Sequence, residues 1–168
     1  MPESGGFQEA AMMITFRLVR LIESHSEALA SGLLYKVQNS TFTKAYEKVP
    51  PDELKERVYG IYQHLGDWLL GKKEVDVERR YRAIGSRRYH QNVPLNELVW
   101  AIVLTRENLW EFLTWESGLD RPIEVFAELE LLHLVGQFFD RAIFYAAAGY
   151  EDARLAKHPA LTSVAGSL

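Results

Sequence analysis

The sequence predicts an all-α fold: a helical bundle of five to six helices, or a globin-like packing of similar helices. Three observations predict it. Apolar residues recur at three- and four-residue intervals through almost every segment, the spacing of one helix face. Strand signals are missing, with no Asn-Gly or Asp-Gly hairpin turn and no alternating β-branched run. Prolines and glycines fall at the ends of the periodic segments, where helices start and stop.

The first helical region covers about residues 7–38, with Ile14, Leu18, Leu21, Ile22, Leu29, Leu33, Leu34 and Val37 on its apolar face. Ser24, Ser26 and Gly32 weaken it. Either serine can cap a new helix, so two helices meeting near His25 are expected. Residues 39–50 read as a connector. Pro50 and Pro51 then open a helix whose first turn carries Asp52 and Glu53, favourable at its positive end. Leu54, Val58, Ile61, Leu65, Trp68 and Leu69 recur along it, and Gly71 stops it. A third helix over about residues 75–90 has Val77, Tyr81 and Ile84 as its inner stripe. Pro94 opens a fourth, carrying Leu95, Leu98, Val99, Ile102, Leu109 and Leu113, and Gly118 ends it. Pro122 opens the last helix, which reaches Lys157 with a kink at Gly149. It is apolar on most sides from Val125 to Ala148, the pattern of a central helix or of one covered by an oligomer. One helical sensor or regulatory domain over residues 7–157 is expected, with flexible termini at 1–6 and 158–168.

A chain of 168 residues with 48% hydrophobic and 25% charged residues can bury a core without metal or disulfide staples. Its net charge of −4 lacks the footprint of a duplex-binding protein, so no nucleic-acid partner is expected. The absence of cysteine excludes disulfides, thiolate catalysis and cysteine-ligated metal, and fits a reducing cytoplasm. Residues 1–6 show no secretory signal, and charge breaks every apolar stretch before it could span a bilayer. A cytoplasmic protein without membrane contact is expected.

Four polar residues of the last helix, Glu130, His133, Gln137 and Asp140, share one face. Glu130 and His133 have the Glu-x-x-His spacing of di-iron bundles and are weak metal candidates. A metal-dependent bundle enzyme needs a second such pair, and the sequence has none. Two arginines stand where apolar residues belong. Arg88 falls within about 20° of Val77 at roughly 100° per residue. Arg106 falls near Leu95, Val99 and Leu113. A guanidinium on a buried stripe requires a carboxylate or a ligand anion. Glu130 or Asp140 is one expected partner, and an acidic ligand held by Arg88, Arg106 and His133 is the other reading. The run Arg79, Arg80, Arg82, Arg87 and Arg88 spreads around its helix among Glu74, Asp76 and Glu78, as a solvated helix does. His64 and His133 are the candidate axial ligands were haem bound, though a lone histidine is commonly an ordinary residue. Trp100 and Trp110 are candidate subunit contacts, since one bundle cannot cover every side of both late helices. No nucleophile motif, phosphate loop or dinucleotide fingerprint is present, so neither catalysis nor a cofactor is expected.

The stretch from Gly85 through Arg87, Arg88, His90, Gln91, Asn92, Pro94 and Glu97 to Val99 resembles the N-terminal domain of RsbRD-type proteins. These are co-antagonists of the RsbT kinase in the bacterial stressosome. In them an arginine-bearing helix leads through a short glycine turn into a long helix. Asn92 stands here in place of that glycine, and asparagine tolerates the left-handed conformation better than most residues. Phe138 to Ala142, Gly149 to Glu151 and the opening Leu21 to Leu29 are similar to the family as well. The resemblance covers about residues 15–156. It implies a helical, often dimeric, stress-response input domain, acting on a signalling partner protein or on a fused output domain.

Overall fold

The computed structural model describes residues 4–71, 73–116 and 122–158. Six α-helices run in chain order: α1 (Ser4–Ser24), α2 (Ser26–Asn39), α3 (Pro51–Gly71), α4 (Glu74–His90), α5 (Leu95–Glu116) and α6 (Pro122–Lys157). A short 3-10 helix, Lys44–Lys48, lies in the connector between α2 and α3. Among the described residues there is no strand, and the chain is an all-α bundle. No described helix is long and apolar enough to cross a membrane.

The helix boundaries follow the punctuation. The first region does break at His25, whose backbone leaves the helical conformation at φ −110° and ψ 12°. The serines beside it do not cap α2. Ser24 Oγ donates to the Leu21 carbonyl at 3.0 Å and Ser26 Oγ to the Glu23 carbonyl at 2.8 Å. Both hydroxyls bond backward into the end of α1, a local option always open to serine. Pro51 takes the first position of α3, and the Pro50 carbonyl accepts from Leu54 N at 3.0 Å. Pro94 sits one residue outside α5, its carbonyl accepting from Glu97 N and Leu98 N. The Gly118 stop lies outside the described residues.

Helix α6 is the hub, packing against α1, α3, α4 and α5, while α3 also meets α1 and α2, and α2 meets α5. The buried side chains include Ile22, Leu33, Tyr62, Leu65, Tyr81, Leu98, Leu109, Phe138 and Phe139. One polar network crosses this core. Tyr62 Oη donates to the Thr105 carbonyl at 3.0 Å. Asn108 Nδ2 donates to the Leu29 carbonyl at 2.9 Å and to Tyr62 Oη at 3.1 Å. It fixes α2, α3 and α5 in register, because each buried polar atom is answered at a defined place.

The closest helix contact is α4 on α6. Helix α6 is continuous through Gly149. The role of this glycine is to let the backbones touch. A β-carbon on Gly149 would overlap the Arg82 carbonyl, and one on Gly85 would overlap the Ala146 carbonyl. Ala142 and Ala146, fully buried, complete this strip of small residues on α6.

Replacing Gly85 or Gly149 with alanine is therefore expected to cost about 1–3 kcal/mol, as overpacking does. Gly136→Ala, where an added β-carbon meets nothing within 4 Å, is expected to gain up to about 1 kcal/mol of helix propensity. Urea unfolding of the three variants checks this; a shared sign for Gly85→Ala and Gly136→Ala would refute it.

Candidate functional site

The C-terminal end of α4 is closed by a Schellman turn. Asn92, at φ 58°, is the one non-glycine residue with positive φ among the described residues. Val93 N donates to the Arg88 carbonyl and Asn92 N to the Tyr89 carbonyl, each at 3.0 Å, the paired bonds that define the motif. Val93 is fully buried and anchors the turn. This geometry holds Arg88, three residues before the turn, against the start of α3. A cation near the C-terminal end of one helix thereby faces Glu53 near the N-terminal end of another, and both helix dipoles favour the arrangement.

Arg88 is buried, at 3% exposure. Its Nη1 donates to Glu53 Oε1 at 3.3 Å and to Gln91 Oε1, and Gln91 Nε2 donates to both Glu53 oxygens at 3.2 Å. The guanidinium also lies 5.5 Å from the centre of the Tyr46 ring, on the 3-10 helix. Arg57 at 3.8 Å and Arg87 at 3.7 Å reach the same Glu53 oxygen. Three guanidinium groups thus share one carboxylate. Glu97, near Tyr46, spends its Oε2 on the Ala45 amide at 2.7 Å.

Arg88 closes one wall of a cavity of about 40 Å³ at the junction of α2, α3, α4 and α5. Leu33, Val58, Ile61, Leu98 and Ile102 are among its apolar lining. Arg57, Tyr81 and Arg88 line it too, and their Nε, Oη and Nε atoms are buried without a hydrogen-bond partner among the described residues. That volume holds about three waters, at roughly 10–15 Å³ each. The site offers positive charge and donors. Burial pushes the Tyr46 hydroxyl up to about 12, against an opposing pull from Arg88. Burial likewise raises Tyr81 and Tyr62.

The residues singled out in the sequence do not converge. Arg88 is on a buried stripe and its carboxylate partner among the described residues is Glu53 rather than the expected Asp140. Asp140 is exposed on α6. Arg106 is half-buried and outside the cavity lining, although Ile102 and Thr105 of the same helix are in it. His133 is exposed and bonds to Gln137 at 2.9 Å, so it joins neither Arg88 nor an apolar pocket. The side chains of Glu130 and His64 lie outside the described residues. Among the described residues no group of three acidic or histidine side chains is placed to hold a metal ion. Trp100 is half-buried and packs edge-on against Phe42 at 5.3 Å, whereas Trp110 is 46% exposed. In the arginine run, Arg79, Arg82, Arg87 and Arg88 all pair with carboxylates. Glu53, Tyr46 and Arg57 were missed. Glu53 reads as a helix-start residue, and Tyr46 lies in a connector without periodicity; only the unpaired charge of Arg88 pointed toward such partners.

A family model described as the RsbT co-antagonist protein RsbRD N-terminal domain matches residues 27–161. No curated protein and no solved structure matches the chain.

Arg88→Gln is expected to cost about 2–3 kcal/mol, because it removes a buried, hydrogen-bonded charge. Arg87→Gln, at the exposed side of the same carboxylate, is expected to cost under about 1 kcal/mol. Equal losses in denaturant unfolding would contradict the assignment. Tyrosine titration supplies a second check. A raised folded-state pKa means the folded protein holds its proton longer than the unfolded chain. Stability is thus full below pH 10, the ordinary tyrosine value, and falls as pH rises toward 12. Tyr46, Tyr62 and Tyr81 are expected to ionise only together with loss of helical circular dichroism; tyrosinate absorbance from all eight tyrosines before unfolding would disprove it.

Proposed function

The chain belongs to the RsbT co-antagonist protein RsbRD N-terminal domain family, a stressosome-type signalling family, and from that premise we propose that it is a non-catalytic input domain. It self-associates through helix faces and hands a signal to a partner protein, either an RsbT-type kinase or a fused output domain, in the bacterial cytoplasm. The observation that carries this reading is the family match over residues 27–161. Two further features support it. The Arg88 site supplies charge and donors without a nucleophile–base pair, which suits binding and transmission. Large apolar side chains also stand in solvent: Met12 at 62%, Met13 at 74% and Phe16 at 50% exposure on α1, with Trp110 and Trp115 on α5.

Scattered single exposed apolar residues are ordinary, but Met12, Met13 and Phe16 fall within one helical turn and make one patch. This patch and Trp110 are the proposed contacts between copies. Trp100 is already engaged by Phe42.

Multi-angle light scattering at micromolar concentration is expected to show a dimer, and the double variant Met12→Glu, Phe16→Glu a monomer with unchanged helical circular dichroism. A strict monomer for the unaltered chain would sink the self-association half of the reading. Calorimetric titration with an RsbT-type kinase tests the partner half.

A further inference from the structure

Helix α1 has two distinct sides. Thr15, Val19 and Ile22 are buried, where the helix packs on α3 and α6. Glu9, Met12, Met13, Phe16, Arg17 and Arg20 are exposed. Among these, Glu9, Met13, Phe16 and Arg20 follow one another at steps of four, three and four residues. That is the spacing of the contact seam between two helices wound together. The apolar pair, Met13 and Phe16, sits in the middle of the seam, and opposite charges stand at its two ends. Met12 flanks the seam and widens the apolar strip.

The end charges are unpaired. Neither the Glu9 carboxylate nor the Arg20 guanidinium has a partner among the described residues. The seam complements itself in one orientation. In a parallel pair of α1 helices each seam residue meets its own copy, so glutamate faces glutamate and arginine faces arginine, which is unfavourable. An antiparallel pair centred between Ile14 and Thr15 sets Glu9 against Arg20 of the second copy and Met13 against Phe16 of the second copy. The two-fold axis repeats both contacts, as an isologous interface requires. The two ion pairs then lie about 16 Å apart, at 1.5 Å of rise per residue, with Met13 and Phe16 of both copies between them.

We propose that α1 is a dimer contact, two copies of the chain pairing antiparallel along Glu9, Met13, Phe16 and Arg20. The occupant of this face is a second copy because the same four residues, read in reverse order, supply the complement of each. The proposal rests on the self-association reading and deepens it by naming the face, the orientation and the register. Charged residues at seam positions are the usual means by which paired helices fix register. One helix pair covers less surface than a standard interface, so a dissociation constant in the micromolar range is expected.

Sedimentation equilibrium of the full chain measures that constant. Glu9→Arg and Arg20→Glu, taken singly, each set like charges face to face at both ends of the seam. Each is expected to weaken the dimer by about tenfold or more. Helical circular dichroism is expected to be unchanged, since both side chains are exposed. The double variant Glu9→Arg, Arg20→Glu restores opposite charges and is expected to dimerise within about threefold of the unaltered chain. An equimolar mixture of the two single variants is expected to form the dimer that neither forms alone. A parallel seam gives a different pattern, because each single reversal there only exchanges one like pair for another and leaves the constant unchanged. A dimer indifferent to both single reversals would overturn the proposal while leaving self-association through another face standing. Failure of the double variant to recover would overturn it as well. A monomer before any substitution would overturn both readings.

Discussion

The backbone contact between α4 and α6 is the constraint on which the rest of the structure depends. Gly85 and Gly149 remove the two β-carbons that would hold the helices apart. Ala142 and Ala146 keep the remaining surface low. Once α4 is seated this closely, polar groups at both of its ends fall into place. Tyr145 Oη donates to Glu74 Oε1 at 2.7 Å at one end, and Arg82 reaches Asp152 at 2.8 Å along the middle. The Schellman turn ends the helix at the other side and delivers Arg88 to α3. The exposed ion pairs add little energy of their own. Their value is orientation, since a helix held by dispersion along a smooth strip could otherwise slide or rotate.

Seating Arg88 inside the bundle sets two large effects against each other. Removing a guanidinium from water costs several kcal/mol, and only close charge and well-made hydrogen bonds offset it. Glu53, Gln91 and the Tyr46 ring supply that compensation on one side of the group. On the other side Nε is unanswered and the wall is a cavity. A core chosen for stability alone would place an aliphatic residue here and fill the space. The retained charge, the incomplete pairing and the adjoining space occur together.

Most of the helices were readable because their signals are local. Periodicity marks a face, and Pro51, Gly71 and Pro94 mark ends within a residue of where they fall. Arg88 was readable as a misplaced charge for the same reason. Its partner was not, because periodicity names the face of a residue and not the helix opposite. Glu53 lies 35 positions away and fits equally well as a first-turn acid. Gly149 shows the same limit from the other direction. Glycine weakens a helix in isolation, and a kink is the local reading; the close approach of Arg82 that makes glycine necessary is tertiary. Trp68 and Tyr81 were legible as core aromatics, but whether an indole N–H finds an acceptor depends on neighbours that sequence spacing does not specify. Arg106 is half-buried on its stripe, and a long side chain there can carry its head outward.

Tyr81 lines both the pocket beside the end of α3 and the smaller one beside Arg88. A ligand can shift a protein only by binding one arrangement better than another. For that it needs an element with two places to be. Most of this core is closely packed and offers none. Tyr81 differs, having about 440 Å³ of space against one part of its surface, about 40 Å³ against another, and a hydroxyl without a hydrogen-bond partner among the described residues.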